Sequence, residues 1–121
     1  MPKHLLIADD NVSVRRLVKD VLKRALDVVR FADAGSGREA IERAHEAKPD
    51  LIILDVSMPD LDGFQAAKVL KNEMPDVPIV LFTMHDLGDY DPKTFGVDAI
   101  VQKLDGFMKL SQCVKSLLSA Q

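Results

Sequence analysis

The chain has 121 residues, of which 47% are hydrophobic and 29% are charged, and its formal net charge is -3. These values are typical of one soluble globular domain, residues 1–121, that can bury a core. The negative charge disfavours nucleic acid as the direct partner, since proteins that bind nucleic acid usually carry a basic surface. The single cysteine, Cys113, excludes an internal disulfide and a thiolate-rich metal site.

No apolar stretch approaches the ~20 residues that a transmembrane helix requires, so we expect no membrane insertion. The opening MPKHLLIADD reaches acidic residues too early for a signal peptide, and we therefore expect a cytoplasmic protein. The sequence ends soon after its last amphipathic segment. We expect it to be either a free-standing domain or a piece of a longer protein.

Five short apolar runs are typical of strands covered on both faces, as in a parallel sheet. They are LLIA (5–8), VVRFA (28–32), LIIL (51–54), PIVLF (78–82) and AIV (99–101). Segments with helical spacing separate them. In the first such segment, apolar residues step by three and four, and a basic face carries Arg15, Arg16, Lys19, Lys23 and Arg24. We expect this face to be solvated, and docking of an acidic partner is the less favoured alternative.

The later segments carry their own start signals. Ser36 and Glu39 form a capping-box pattern before the second helix, and the third begins at about Gly63. Asp105 is placed to cap the last helix. The fourth connection, residues 84–98, contains Gly88, Pro92 and Gly96, so we expect a short or irregular helix there. The repeated alternation predicts an α/β fold, a doubly wound five-stranded parallel sheet with helices on both faces.

Polar and charged residues cluster where the predicted strands end. Asp9 and Asp10 follow the first strand, Asp55 follows the third, Thr83 follows the fourth run, and Lys103 comes shortly after the fifth. In open α/β sheets, ligands bind beyond the carboxyl ends of the strands. Asp9 or Asp10 alone could be a simple helix cap, but three acids at adjacent strand ends indicate a binding site.

The chemistry of these side chains indicates which kind of ligand the cluster binds. Two unit charges ~4 Å apart repel by about 4 kcal/mol at an effective dielectric constant near 20, so three carboxylates need a cation or a lysine. Hard oxygen ligands favour Mg²⁺, with Mn²⁺ as an alternative. Lys103 supplies a charge and Thr83 a hydroxyl for phosphate oxygens. With no Ser, Cys or His at the strand ends, Asp55 is the candidate nucleophile of a phosphoryl-binding site.

The stretches ADDNVSVRRLV, LIILDVSMPDLDGF, VLFT and AIVQK resemble the receiver domain of bacterial two-component response regulators over essentially the whole chain. The pattern D-x-x-M-P-x-x-x-G, from Asp55 to Gly63, is its specific signal. The resemblance implies a flavodoxin-like sheet of order 2-1-3-4-5. It also implies that Asp55 accepts a phosphoryl group from a histidine kinase or another phosphotransfer protein.

The same resemblance implies roles for the other site residues. Asp10 and Asp55 would bind Mg²⁺ directly, together with the backbone carbonyl of Ser57, and Asp9 would act mostly through water. Lys103 would pair with the phosphoryl oxygens, and Thr83 would move toward the phosphate.

Phosphorylation adds roughly -1.5 to -2 charges, which Thr83 and Lys103 can meet only if their loops move. We expect residues 84–110 to change and to control binding of a downstream protein target or a fused output domain. The output would then be binding and not catalysis.

Three residues depart from the family pattern. Ile100 stands where a second switch residue, Tyr or Phe, is usual, and Met84 stands where a small residue is favoured. Leu104 replaces a proline after Lys103. The spacing from Thr83 to Lys103 is also slightly short. These differences all lie within residues 84–110, the part of the chain that is expected to respond to phosphorylation.

Ser57 and His85 lie two residues after Asp55 and Thr83, and flank the path of a water that would hydrolyse the phosphorylated state. They and Met84 are candidates for control of the phosphate lifetime, although Ser57 and His85 could equally be solvated loop residues.

Two other functions compete with the phosphorylation switch. A receiver-like adaptor that binds its partner independently of phosphate is favoured by Met84, Ile100 and the irregular fourth connection. A small aspartyl-phosphate phosphatase is less favoured, because such hydrolases space their acids by one residue, whereas Asp9 and Asp10 are adjacent.

Overall fold

Five strands and four α-helices alternate in the computed structural model, which describes residues 2–27, 29–87 and 90–120. The strands are β1 (Lys3–Ala8), β2 (Val29–Ala34), β3 (Leu51–Leu54), β4 (Ile79–Thr83) and β5 (Ala99–Gln102). The helices are α1 (Val12–Ala25), α2 (Gly37–Glu46), α3 (Gly63–Glu73) and α4 (Phe107–Ser119). Two 3-10 turns, Pro92–Phe95 and Lys103–Asp105, flank β5.

The sheet is parallel throughout, and its strand order is β2-β1-β3-β4-β5, as predicted. β2 continues two residues past the predicted end at Ala32, because Asp33 and Ala34 pair with Ile7 and Ala8. The strand order reverses between β1 and β3, where Ala8 is paired with Leu54. A crevice at the carboxyl ends of these strands is the expected ligand position in such a sheet.

Two apolar layers cover the sheet. Leu6 and Ala8 of β1 contribute to one layer, with α2 and α3, while Leu5 and Ile7 contribute to the other, with α1 and α4. This alternation follows from the period of two along a strand. All four residues of β3 are fully buried or nearly so, and each such side chain stabilises the fold by about 1.5–3 kcal/mol. None of the helices in the described ranges has the length and apolar character to cross a membrane.

Side chains cap the first three helices. Asn11 caps α1, Ser36 caps α2 and Asp62 caps α3, each accepting a hydrogen bond from a backbone N–H three residues later. Asp62 and Gln65 form the reciprocal capping box. At α2 the pattern is only half realised, because the Glu39 carboxylate accepts from the N–H of Gly35 instead of Ser36.

The predicted cap of α4 is wrong. Asp105 lies in the 3-10 turn, and α4 starts at Phe107 after Gly106, with no side-chain cap. Gly106 has φ of 93°, a left-handed conformation that glycine adopts readily, so the chain enters the helix through backbone geometry.

The fourth connection is short and irregular, as predicted. Within the described part of residues 84–98, its regular structure is the 3-10 turn Pro92–Phe95, which Gly96 ends with φ of 69°. Gly88, on which the prediction partly relied, lies outside the described residues. Phe95 stacks on Phe64 of α3 with ring centroids 4.7 Å apart, so this turn is fastened to the apolar layer.

Candidate functional site

The strand register brings the predicted site residues to one edge of the sheet. Asp9 and Asp55 directly follow the paired residues Ala8 and Leu54, and the Asp55 N–H donates to the Ala8 carbonyl at 2.9 Å. At the other end of this edge, Thr83 is paired with Gln102, which precedes Lys103. Parallel pairing therefore aligns residues that are up to 94 positions apart in sequence.

Three carboxylates converge at this edge. Asp9, Asp10 and Asp55 each offer an oxygen, and these oxygens lie within 4.8 Å of one another. Asp9 and Asp55 are 3% and 7% exposed, whereas Asp10 is exposed to solvent. An all-oxygen donor set with one open side fits a hard cation such as Mg²⁺, which retains water ligands. We call Asp9, Asp10, Asp55 and Lys103 the acidic cluster.

Lys103 connects two of the acids. Its Nζ donates to Oδ2 of Asp9 at 2.8 Å and to Oδ2 of Asp55 at 3.2 Å. Burial opposes its charge, but the hydrogen bond with Asp9 and the negative charges of Asp55 and Asp9 together raise the pKa of Lys103. The ammonium group is therefore held charged beside the proposed phosphoryl position.

Negative charge remains in excess in the cluster. Burial first, and then the charge of Asp9, raise the pKa of the Asp55 carboxyl from its ordinary value of 3.8, although Lys103 acts in the opposite direction. The cluster also contains three carboxylates and one lysine, so negative charge is in excess when all four groups are ionised. A divalent cation would remove the excess, because an opposite charge favours the ionised carboxylate.

His85, in the loop after β4, contacts both Thr83 at the end of that strand and Ser57 in the loop after β3. Thr83 is fully buried, and its hydroxyl accepts a hydrogen bond from the His85 N–H at 3.1 Å. The exposed Ser57 Oγ and His85 Nε2 lie 2.7 Å apart. With Asp10, these two side chains border a groove that Met58 and Pro59 also line. Two of the three predicted lifetime residues, Ser57 and His85, therefore contact each other beside the acidic cluster.

The motif that begins at Asp55 ends with a glycine, Gly63, because there is no room for a side chain at this position. A Cβ atom on Gly63 would lie 2.1 Å from the Asp55 carbonyl oxygen and 2.8 Å from the Cα of Val56. The Gly63 N–H also donates to the Val56 carbonyl at 2.8 Å. Only a glycine permits α3 to begin so close to the backbone that carries Asp55. The sequence showed the glycine at a fixed spacing from Asp55, but it did not show how closely the two backbone segments approach.

The residues that depart from the family pattern have different environments. Met84 and Leu104 are 58% and 80% exposed, next to Thr83 and Lys103 respectively. Ile100 is half-buried and packs against the apolar layer of α2 and α3. The peptide bond before Leu104 is trans, as are the others among the described residues.

Arg15 was missed as a site residue because its position indicated only a solvated face. Its side chain is 15% exposed, and its Nε donates to Oδ2 of Asp33 at 3.0 Å. Its Nη1 also donates to the backbone carbonyl of Asp9. Lys19 likewise pairs with Asp33, at 2.7 Å. The expectation of a solvated face is therefore wrong for Arg15 and Lys19, because an edge strand places Asp33 against them.

The chain belongs to the response regulator receiver domain family, since the model of that family matches residues 5–112. The response regulator protein VraR of Staphylococcus saprophyticus subsp. saprophyticus is 32% identical over 117 residues, which is 95% of this chain and 56% of that protein. The chain thus spans about half the length of the curated relatives that it matches.

Solved structures have the same fold. A CheY-like receiver domain from Methanospirillum hungatei JF-1 has a TM-score of 0.88 at 19% identity, with 99% of this chain and 96% of that chain covered. A putative response regulator from Chloroflexus aurantiacus J-10-fl has a TM-score of 0.84 at 29% identity, with coverages of 98% and 99%. The chain is therefore a receiver domain of the two-component response regulator family.

Proposed function

We propose that the chain is one receiver domain, residues 1–121, in which Asp55 accepts a phosphoryl group with the help of Mg²⁺. The observation that carries this proposal is the position of Lys103, whose Nζ lies within 3.2 Å of both Asp9 and Asp55. The three carboxylates and this lysine provide a place for a divalent cation and for phosphoryl oxygens at one spot.

The proposed metal ligands are the carboxylates of Asp10 and Asp55 and the backbone carbonyl of Ser57. Both oxygens of Asp9 already accept hydrogen bonds, one from Lys103 at 2.8 Å and one from the Asn11 N–H at 2.9 Å. This supports a role for Asp9 through a bound water. Asp10 has no hydrogen-bond partner among the described residues, so its carboxylate is available. The cation would supply neutralisation of charge on the acids and on the phosphoryl group.

In the proposed transfer, a carboxylate oxygen of Asp55 forms a bond to the phosphorus of a phosphohistidine. The bond from phosphorus to the donor nitrogen breaks, and its electron pair stays on the imidazole. Lys103 exchanges its contact with Oδ2 of Asp55, which now lies 3.2 Å from Nζ, for a contact with a phosphoryl oxygen. The donor would be a histidine kinase or a phosphotransfer protein.

The response would begin at Thr83. Its hydroxyl now accepts from His85, and a turn toward the phosphoryl group would change this contact and move the following loop. Ile100 packs beside the layer that would be disturbed, and could act as the second switch residue by a change of packing. The surface of residues 84–110 would then control a downstream protein or a fused output domain. Direct contact of this domain with nucleic acid is disfavoured by its net charge of -3.

The test is incubation with acetyl phosphate and Mg²⁺, followed by intact-mass measurement. Wild type should gain one phosphoryl group, and Asp55→Asn should gain none. Asp60→Asn is the matched control, because Asp60 is an exposed acid of the same loop, and it should be phosphorylated like wild type. An unmodified wild type, or a modified Asp55→Asn, would contradict the proposal.

An adaptor that binds independently of phosphate is the second candidate. The observation in its favour is the exposure of Met84 and Leu104, which offer apolar contact area without any switch. A partner affinity that is equal with and without acetyl phosphate, and equal in Asp55→Asn, would support the adaptor and exclude the switch.

A further inference from the structure

We propose that Arg15 is a positioning residue that fixes the Asp9–Asp10 peptide and thereby sets the affinity of the acidic cluster for a divalent cation. This inference rests on the proposed function, because it assumes that Asp10 is a metal ligand. Arg15 itself contacts no carboxylate of the cluster in the described structure. Its only link to the cluster is the hydrogen bond from Nη1 to the Asp9 carbonyl.

The Asp9 peptide is held from two sides. Its N–H donates to the carbonyl of Ala34 in β2 at 2.9 Å, and its carbonyl accepts from Arg15. That carbonyl belongs to the peptide bond that leads into Asp10. Its orientation therefore determines where the Asp10 side chain leaves the backbone.

Asp10 has little else to hold it. It is exposed, and its carboxylate has no hydrogen bond to any described residue. Asp9 is fixed by Lys103 and Asn11, and Asp55 by Lys103 and the strand pairing. Of the three acids, Asp10 thus depends most on its backbone for orientation. A ligand whose direction is fixed in advance binds a cation more tightly.

Arg15 is itself held in place. Its Nε donates to Asp33, which also accepts two hydrogen bonds from Lys19 at 2.7 and 2.9 Å. Its Nη1 lies 3.7 Å from the position that a Cβ on Gly35 would take, so the guanidinium packs over a residue without a side chain. Although burial opposes it, the bonds from Lys19 and Arg15 lower the pKa of Asp33, which keeps the anchor ionised.

The charge of Arg15 and its geometry make opposite predictions. If only charge mattered, removing the positive guanidinium group of Arg15 would strengthen the attraction of the acidic cluster for Mg²⁺. Removing a group that orients a ligand weakens binding, typically by about tenfold or more. The sign of the change therefore separates positioning from simple electrostatics.

The experiment is calorimetric titration of the whole chain with MgCl₂, in wild type, Arg15→Ala, Arg15→Lys and the control Arg16→Ala. Arg16 is exposed on the same helix, and the substitution Arg16→Ala removes the same charge as Arg15→Ala. We expect Mg²⁺ to bind about tenfold more weakly to Arg15→Ala. Arg15→Lys, which cannot bridge Asp33 and the Asp9 carbonyl with a fork of donors, should also bind more weakly. Arg16→Ala should bind like wild type or more tightly.

A second readout needs no metal. The Asn11 N–H, which donates to Asp9, should exchange with solvent faster in Arg15→Lys than in wild type, while core amides of β3 exchange equally in both. Equal or slower exchange of the Asn11 N–H in Arg15→Lys would contradict the positioning role. Should Arg15→Ala fail to fold, Arg15→Lys retains the charge and gives the same decision.

The outcomes separate this inference from the proposed function. If wild type binds Mg²⁺, Asp10→Asn abolishes binding, and the Arg15 variants bind equally or more tightly, the positioning role is wrong and the metal site stands. If wild type does not bind Mg²⁺, or Asp10→Asn binds as well as wild type, the metal site and this inference both fail.

Discussion

The two halves of the functional edge are built differently. The acceptor half, residues 9–11 and 55–63, follows the central strands β1 and β3, and the backbones of both Asp9 and Asp55 are hydrogen-bonded to neighbouring strands. The response half, residues 84–106, begins after β4, includes β5 and exposes Met84 and Leu104. The family motif is complete in the first half, whereas the departures Met84, Ile100 and Leu104 all lie in the second.

This contrast has a physical reason. Orienting several carboxylates around one cation tolerates little error, so the acceptor half is held by buried backbone contacts. A response to phosphorylation requires two arrangements of similar free energy, so the response half must have fewer fixed contacts. Substitutions are therefore expected to affect stability and metal binding in the first half, and kinetics and partner choice in the second.

The largest expected effect breaks the acceptor half. Gly63→Ala places a methyl group 2.1 Å from the Asp55 carbonyl oxygen, so we expect the free energy of unfolding to fall by about 3 kcal/mol or more. Urea unfolding measures this loss. Gly96→Ala is the control in the response half: it has open space but φ of 69°, so it should cost about 1–2 kcal/mol. Equal losses in the two variants would refute the contrast.

A smaller effect concerns the anchor of the acceptor half and depends on pH. Asp33 has a lowered pKa, so its stabilising contribution is present above the ordinary carboxyl value of 3.8 and is lost as pH falls through the lower folded value. We expect Asp33→Asn to lower the free energy of unfolding at pH 7 by about 1 kcal/mol, a value reduced by solvent screening. The difference from wild type should vanish in strong acid.

Urea unfolding at several pH values tests this prediction. Asp76→Asn removes a fully exposed acid that pairs with Lys48, and it should leave stability nearly unchanged. A loss in Asp33→Asn that grows as the solution becomes acidic would contradict the assigned sign.

The contact that joins the two halves should affect kinetics alone. Removing the hydrogen bond between Ser57 and His85 opens the side of the groove to water, so His85→Ala should shorten the half-life of the phosphorylated protein. About two- to fivefold is expected for one exposed hydrogen bond. Ser57→Ala should act similarly, and the double variant should not exceed the larger single effect, because both remove one interaction. An unchanged half-life would remove these residues from control of the lifetime.

The smallest effect is expected within the response half. Met84 is 58% exposed beside Thr83, and a smaller side chain should ease access of water to the phosphoryl group. Met84→Ala should shorten the half-life about twofold while stability changes by less than about 0.5 kcal/mol. The control is Met108→Ala on α4, where the methionine is 69% exposed, and it should leave the half-life unchanged. A similar change in both variants would show that the effect is not local to Thr83.

The regular parts of the fold were predictable from apolar periodicity. The strand Leu51–Leu54 is a continuous apolar run, and the strand Ile79–Thr83 is apolar up to its last residue. The caps at Ser36 and Asp62 fall within one residue of the predicted helix starts. Asp105 is not the cap of α4, although aspartate is a residue type that often caps helices. Residue type alone does not decide where the chain turns into the helix. The backbone conformation of Gly106 decided that.

The candidate site divides in the same way. The sequence alone determined that Asp9, Asp10, Asp55 and Lys103 meet at one edge, because strand ends in a parallel sheet share an edge whatever the loop details. Only the tertiary structure decided that Arg15 holds the Asp9 carbonyl and that Ser57 contacts His85, since both contacts join loops or elements whose spacing no local pattern encodes. Periodicity reports which face of an element is buried, whereas the partner of a polar side chain depends on how separate elements pack.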